Sequence, residues 1–202
     1  MSDFYNVIKF LVFLFFVYIL GAIPFSYIIT KIHLNKDITE LGSKNAGATN
    51  VFRNVGKIPA IFTLILDILK GYLTVKISYW LFPNNLLFAI ISGAIVIFAH
   101  SFSIFLKFKG GKSVATSLGV FWGLAPLAVF ISIIIFISSL GFFGIVSLGS
   151  IAATLFLPII IYSLNYDKAI FIMSILIAIF IIYRHKENIK KLINGTEKKI
   201  FF

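Results

Sequence analysis

What most limits the fold of this chain is its long apolar runs, among them FLVFLFFVYILGAI at 10–23 and LLFAIISGAIVIF at 86–98, interrupted only by short polar islands. Such runs approach the roughly 20 residues needed to cross a hydrocarbon core about 30 Å thick. In lipid a backbone must satisfy its own hydrogen bonds, which leaves helices or closed barrels, and the lack of strict alternation selects helices. With 60% of its 202 residues hydrophobic, the chain reads as an all-α integral membrane protein, a polytopic helical bundle. The first run lacks a small-residue cleavage pattern and reads as a retained helix. The absence of cysteine excludes disulfides and thiolate metal sites.

A net charge of +11 raises the question of nucleic acid, and the distribution of the charge answers it. Of 18 Lys and Arg residues, five lie in 31–57, three in 107–112 and six in 184–202. That pattern places the three segments on the cytoplasmic side, against anionic headgroups, and makes membrane lipid the partner, with no nucleic acid. With the N-terminus outside and the C-terminus cytoplasmic, 8–30, 58–81 and 86–106 are crossings, and FPNN turns between the last two. Between Lys112 and Arg184 the number of crossings must be even. Breakers at GLAP, GFFG and NYDK cut this stretch into four pieces, favouring seven transmembrane helices in all, with five as the alternative. Neither an internal repeat nor a loop long enough for a soluble domain is visible, so 1–202 reads as one membrane-embedded domain.

Three polar islands fall on the side assigned to the cytoplasm. The first, LGSKNAGATNVFRNVGK at 41–57, offers Ser43, Asn45, Gly47, Thr49, Asn50 and Arg53: amides and hydroxyls that donate, glycine that lets backbone approach an anion, and Arg that grips phosphate bidentately. The second is Lys109, Gly110, Gly111, Lys112 and Ser113. Its GGKS is not a nucleotide-binding P-loop, because Leu106 stands where that signature needs glycine. Its glycine amides, the Lys112 charge and a helix beginning near Ser113 still suit a phosphate-bearing ligand. A basic turn anchored at the headgroups is the plain alternative. The third, YRHKENIKKLINGTE at 183–197, sets His185 and Asn188 on one face of a continuing helix. Asp67 and Lys70, three apart within a crossing, are expected to pair or to line a site, and His100 to support the second island by a hydrogen bond.

Residues 42–50 (GSKNAGATN), 109–116 (KGGKSVAT) and 185–197 (HKENIKKLINGTE) resemble, in order, the three motifs of the bacterial membrane glycerol-3-phosphate acyltransferases that use acyl phosphate, the PlsY family. The resemblance extends over the whole chain in length, spacing and topology. It implies transfer of a fatty acyl group from acyl phosphate to the 1-hydroxyl of sn-glycerol 3-phosphate, giving lysophosphatidic acid and phosphate. That is the first step of phospholipid biosynthesis, in the bacterial inner membrane, with the site on the cytoplasmic side and no cofactor or metal. Carried over by motif, Ser43, His185 and Asn188 are the catalytic candidates, and the remaining residues of the first two islands bind substrate. Lys44 and Ser113 stand where the family usually has glycine. The hydroxyl proton is expected to leave either to His185 or to a substrate phosphate, the latter favoured because no carboxylate is placed to orient the imidazole. The chief rival is a transporter for a phosphorylated solute, whose site would be expected near the midplane on broken helices.

Overall fold

The computed structural model describes residues 2–200, in which helices are joined by short turns and no strand occurs among the described residues. The chain divides into two compact units, Met1–Gly123 and Leu124–Phe202.

The first unit begins with α1 (Ser2–Ala22) and α2 (Phe25–Leu34), one apolar stretch broken at Pro24. Proline offers no N–H to continue a helical ladder, so the break strands carbonyls that would be costly in lipid. They are recovered from other helices: Ser103 Oγ donates to Ala22 O at 2.5 Å and Lys70 Nζ to Ile23 O at 3.2 Å. Next come α3 (Ala48–Asn54), the long α4 (Lys57–Leu81) and α5 (Leu86–Ser101), then a single 3-10 turn at Ile104–Leu106 and α6 (Val114–Leu124). Helices α1 and α4 both pack on α5.

At the FPNN end, Phe10 stacks on Phe88 with ring centroids 3.8 Å apart, and Phe82 meets both edge-on. Lys9 donates to Leu81 O at 3.1 Å, so a basic residue remote from the three charged segments caps the negative end of α4. Helices α4 and α6 touch backbone to backbone: a Cβ on Gly71 would lie 2.2 Å from Thr116 O, and one on Gly119 would overlap Ile68 O. Small residues at a helix crossing permit such an approach in a membrane, where van der Waals packing drives association.

The second unit comprises α7 (Pro126–Phe143), α8 (Val146–Ser163), α9 (Lys168–Arg184) and α10 (Lys186–Ile193). Every breaker read from the sequence ends a helix here. Pro126 opens α7, Gly144 closes it in the left-handed conformation (φ 70°), and Asp167 caps α9 by accepting from Ala169 N. Helix α8 packs on both α7 and α9. The tail returns to the α7–α8 turn, where Ile200 N donates to Gly144 O at 2.7 Å.

Phe142, Trp80 and Tyr162 are 86%, 80% and 69% exposed, and many Ile and Leu on α1, α4, α7 and α9 also face outward. This is the surface of a protein whose solvent is hydrocarbon with aromatic side chains at its margins. Hydroxyls within these helices fold back on the carbonyl one turn earlier, as Thr63 does on Pro59 and Ser132 on Ala128. Among the described residues, five stretches are long and apolar enough to cross a bilayer, counting Tyr5–Leu34 as one, and a sixth arises if α9 and α10, bent by 60°, are taken together. Helix α6, at 11 residues and about 16 Å, is the short piece that a count of seven would require.

Candidate functional site

The first island is a loop wound around one buried side chain and closed by a short helix. Asn50 Nδ2 faces the carbonyls of Ile38, Leu41 and Asn45 at 3.0–3.1 Å, while its Oδ1 accepts from Ser43 N and Asn54 Nδ2. Asn50 thus shapes the loop and fixes the amide of Ser43. The polar island is not loop throughout: 48–54 is α3, with Gly47 at its N-cap and Thr49 and Arg53 half-buried along it. Below the loop, Ile38, Ala46, Val51 and Ala60 form an apolar core that anchors it. Ser43 and Lys44 are exposed at its rim and Asn45 is half-buried.

The second island is clamped to the end of α5. Gly110 N donates to Ser101 O at 3.0 Å and Gly111 N to His100 O at 3.2 Å, so both glycine amides are engaged within the protein. The sequence reading had these amides exposed to ligand, but the glycines serve close approach. A Cβ on Gly110 would lie 2.0 Å from His100 O, and one on Gly111 would lie 2.2 Å from His100 Nε2 and 2.5 Å from Ala46 O. Ser113, fully buried, donates to Ile97 O at 2.7 Å, and its Oγ is 2.7 Å from Ser101 Oγ. The stretch therefore leaves Lys109 exposed and Lys112 half-buried immediately before α6, whose first-turn amides have no intrahelical acceptor. Because Ala46 and His100 flank the same point on Gly111, the first two islands meet. Six donor-bearing candidates, Ser43, Asn45, Thr49, Arg53, Lys109 and Lys112, belong to one loop assembly.

In the second unit the helix does not continue past the membrane run as the sequence suggested. It breaks at His185, which ends α9 and precedes α10, so Asn188 sits one turn into a new helix. His185 is buried, and its Nδ1 donates to Ile181 O at 2.8 Å. In the neutral ring that bond places the lone pair on Nε2. Asn188 Nδ2 donates to Glu197 Oε1 at 2.7 Å, and Ser147 Oγ to the same oxygen at 2.9 Å. Glu197 was given no role by the sequence reading. Its signal was an isolated carboxylate closing NGTE among lysines.

A family model for glycerol-3-phosphate acyltransferase matches residues 11–195. The chain is 44% identical over 183 residues to a glycerol-3-phosphate acyltransferase of Endomicrobium trichonymphae, covering 91% of this chain and 92% of that one. It is also 44% identical over 195 residues to the enzyme of that name from Fusobacterium nucleatum, covering 96% and 99%. Among solved structures it is similar to PlsY, an integral membrane glycerol 3-phosphate acyltransferase, in its glycerol 3-phosphate form, with a TM-score of 0.90, 34% identity and 95% and 96% coverage. The lysophosphatidic acid form of PlsY matches with a TM-score of 0.87, again at 34% identity and with 95% of each chain covered.

Proposed function

The chain belongs to the glycerol-3-phosphate acyltransferase family, and from that premise we propose that it transfers a fatty acyl group from acyl phosphate to the 1-hydroxyl of sn-glycerol 3-phosphate. The observation that carries the proposal is the junction of two cationic, donor-rich loops at Gly111, between Ala46 and His100. Both substrates and the released product bear phosphate, and the assembly presents Arg53, Lys109, Lys112 and the start of α6 to such groups.

The hydroxyl oxygen attacks the acyl carbonyl carbon, and the bond from that carbon to the phosphate oxygen breaks. Inorganic phosphate departs with the electron pair. Phosphate is already a competent leaving group, so the chemistry is complete without a cofactor and needs charge neutralisation, alignment and oxyanion stabilisation. Lys112 and Arg53 neutralise phosphate, with Asn45, Thr49 and Lys109 as further donors. Gly47, Asn50, Gly110, Gly111 and Ser113 hold the loops in shape. Ser43, His185 and Asn188 are assigned to the reacting centre. The hydroxyl proton passes to a substrate phosphate oxygen. His185, whose Nδ1 bonds the Ile181 carbonyl, acts as a hydrogen-bonding group. The reaction takes place at the cytoplasmic face of the bacterial inner membrane, where the basic segments lie under the positive-inside rule.

Purified protein given acyl phosphate and glycerol 3-phosphate is expected to release phosphate and lysophosphatidic acid, and to do neither with acyl-CoA. Equal rates with acyl-CoA would overturn the donor assignment.

A further inference from the structure

Asp67, Lys70 and His100 form a cluster that the proposed reaction leaves unused. They are 2%, 2% and 8% exposed, Asp67 and Lys70 on α4 and His100 near the end of α5. Lys70 Nζ lies 2.8 Å from Asp67 Oδ1, 2.8 Å from His100 Nδ1 and 3.2 Å from Ile23 O. Two of these are hydrogen bonds, to His100 Nδ1 and Ile23 O, and the third is an ion pair, in which Asp67 Oδ1 lies at contact distance from the ammonium without taking a hydrogen bond. With Lys70 donating to Nδ1, the network assigns the imidazole proton to Nε2. Asp67 Oδ1, at 3.4 Å from the same Nδ1, is too distant to compete.

The opposite edge of the ring is the one that meets the loops. Gly111 lies against His100 Nε2, with Ala46 O beside it, and the amides of Gly110 and Gly111 bond the carbonyls of Ser101 and His100. Helix α4, which carries Asp67 and Lys70, also presses on α6 through Gly71 and Gly119. A salt bridge serving packing alone is a poor choice in lipid, because apolar residues of similar volume would fill the space without desolvating two charges.

We propose that Asp67, Lys70 and His100 are positioning residues: Asp67 and Lys70 lock the His100 ring so that its Nε2 edge forms the wall on which the two phosphate-binding loops are held, which sets the place of Lys112. None of the three touches substrate. The inference rests on the proposed function for its kinetic consequence, but its structural content can be measured without substrate.

The test is amide hydrogen exchange of the purified protein in detergent, comparing 107–113 with the turn at 82–85, at the far end of the same helices. His100→Asn retains a polar atom near the position of Nδ1 and loses the Nε2 edge, whereas His100→Gln reaches toward Nε2. Exchange in 107–113 should rise about tenfold in His100→Asn and less in His100→Gln, with 82–85 unchanged. Asp67→Asn, remote from the loop, should raise exchange in 107–113 as well, and it carries the test where the His100 variants fold poorly. In steady-state assays the same variants should raise KM for glycerol 3-phosphate with kcat changing less. Unchanged exchange in 107–113, or an equal rise in both segments, overturns the inference. Failure of the wild-type protein to use glycerol 3-phosphate would overturn the proposed function and leave the exchange result to decide the positioning role.

Discussion

Asn188 donates through its amide nitrogen to Glu197, at 2.7 Å, and the same carboxylate oxygen accepts from Ser147 at the start of α8. An asparagine held by its nitrogen turns its carbonyl the other way, as an acceptor. One acidic residue in a basic tail thus fixes which face Asn188 presents. Glu197→Ala is expected to lower kcat about 3- to 10-fold, the equivalent of one hydrogen bond, with a smaller change in KM. Glu197→Gln can accept from Asn188 without enforcing its orientation and should fall between. Steady-state kinetics on both variants provide the check.

The glycines divide by what surrounds them. A Cβ on Gly110 would sit 2.0 Å from His100 O and 2.9 Å from Ser101 O, both backbone atoms that cannot withdraw, whereas one on Gly141 in α7 meets nothing within 4 Å. Gly110→Ala should therefore cost at least about 1–3 kcal/mol, or prevent folding outright. Gly141→Ala should gain about 0.5–1 kcal/mol from reduced backbone entropy. Thermal unfolding midpoints in detergent should move in opposite directions.

Lys44 and Ser113, the two positions where the motifs usually carry glycine, both adopt left-handed backbone, with φ of 57° and 63°. A side chain there costs on the order of 1–2 kcal/mol. Lys44 is exposed, so Lys44→Gly should stabilise the fold and leave activity intact. Ser113→Gly relieves the same strain but forfeits the buried contacts of Oγ with Ile97 O and Ser101 Oγ. It should bring no gain, and melting temperatures of the two variants test the contrast.

The helices of the second unit were legible because lipid leaves few alternatives: apolar length and the turn residues of GLAP, GFFG and NYDK marked boundaries at Pro126, Gly144 and Asp167. The pairing of Asp67 with Lys70 and the support His100 gives the glycine loop were also within reach, since a buried charge must find a partner. Less legible was the use of individual polar groups. Asn50 and the amides of Gly110 and Gly111 looked like ligand donors by type, yet each is consumed by neighbouring carbonyls that spacing does not reveal. The breaks at Pro24 and His185 were missed because apolar sequence runs straight through the first, and nothing local to the second demands a bend. Glu197 reaches Ser147 from 50 residues away, a contact only the fold creates.

Sidedness can be read directly, since the chain has no cysteine. Single cysteines at the exposed Lys36, Lys109 and Lys198 should react with a membrane-impermeant reagent only from the cytoplasmic side, and those at Pro83 and Lys168 only from outside. Reaction of the Lys168 site from the cytoplasm would remove the out-and-back pairing of α8 and α9. External labelling at Lys109 would separate the glycine loop from the side assigned to it by charge.

The kinetics of three alanine variants separate binding from chemistry. Lys112 follows the clamped Gly110–Gly111 pair and precedes α6, so its ammonium is presented from a rigid support. If it holds the phosphate of glycerol 3-phosphate, Lys112→Ala removes a charge-assisted contact worth about 1.5–3 kcal/mol, or roughly 10- to 150-fold. That loss should fall chiefly on KM for glycerol 3-phosphate. Ser43→Ala and His185→Ala remove groups assigned to aligning and stabilising the reacting centre, and should lower kcat even at saturating substrate. Buried His185 also fixes the bend between α9 and α10, so its variant must be compared at equal folded protein, by melting midpoint and monodispersity. A well-folded Lys112→Ala with unchanged dependence on glycerol 3-phosphate would return the glycine loop to the plainer role of a basic turn at the headgroups.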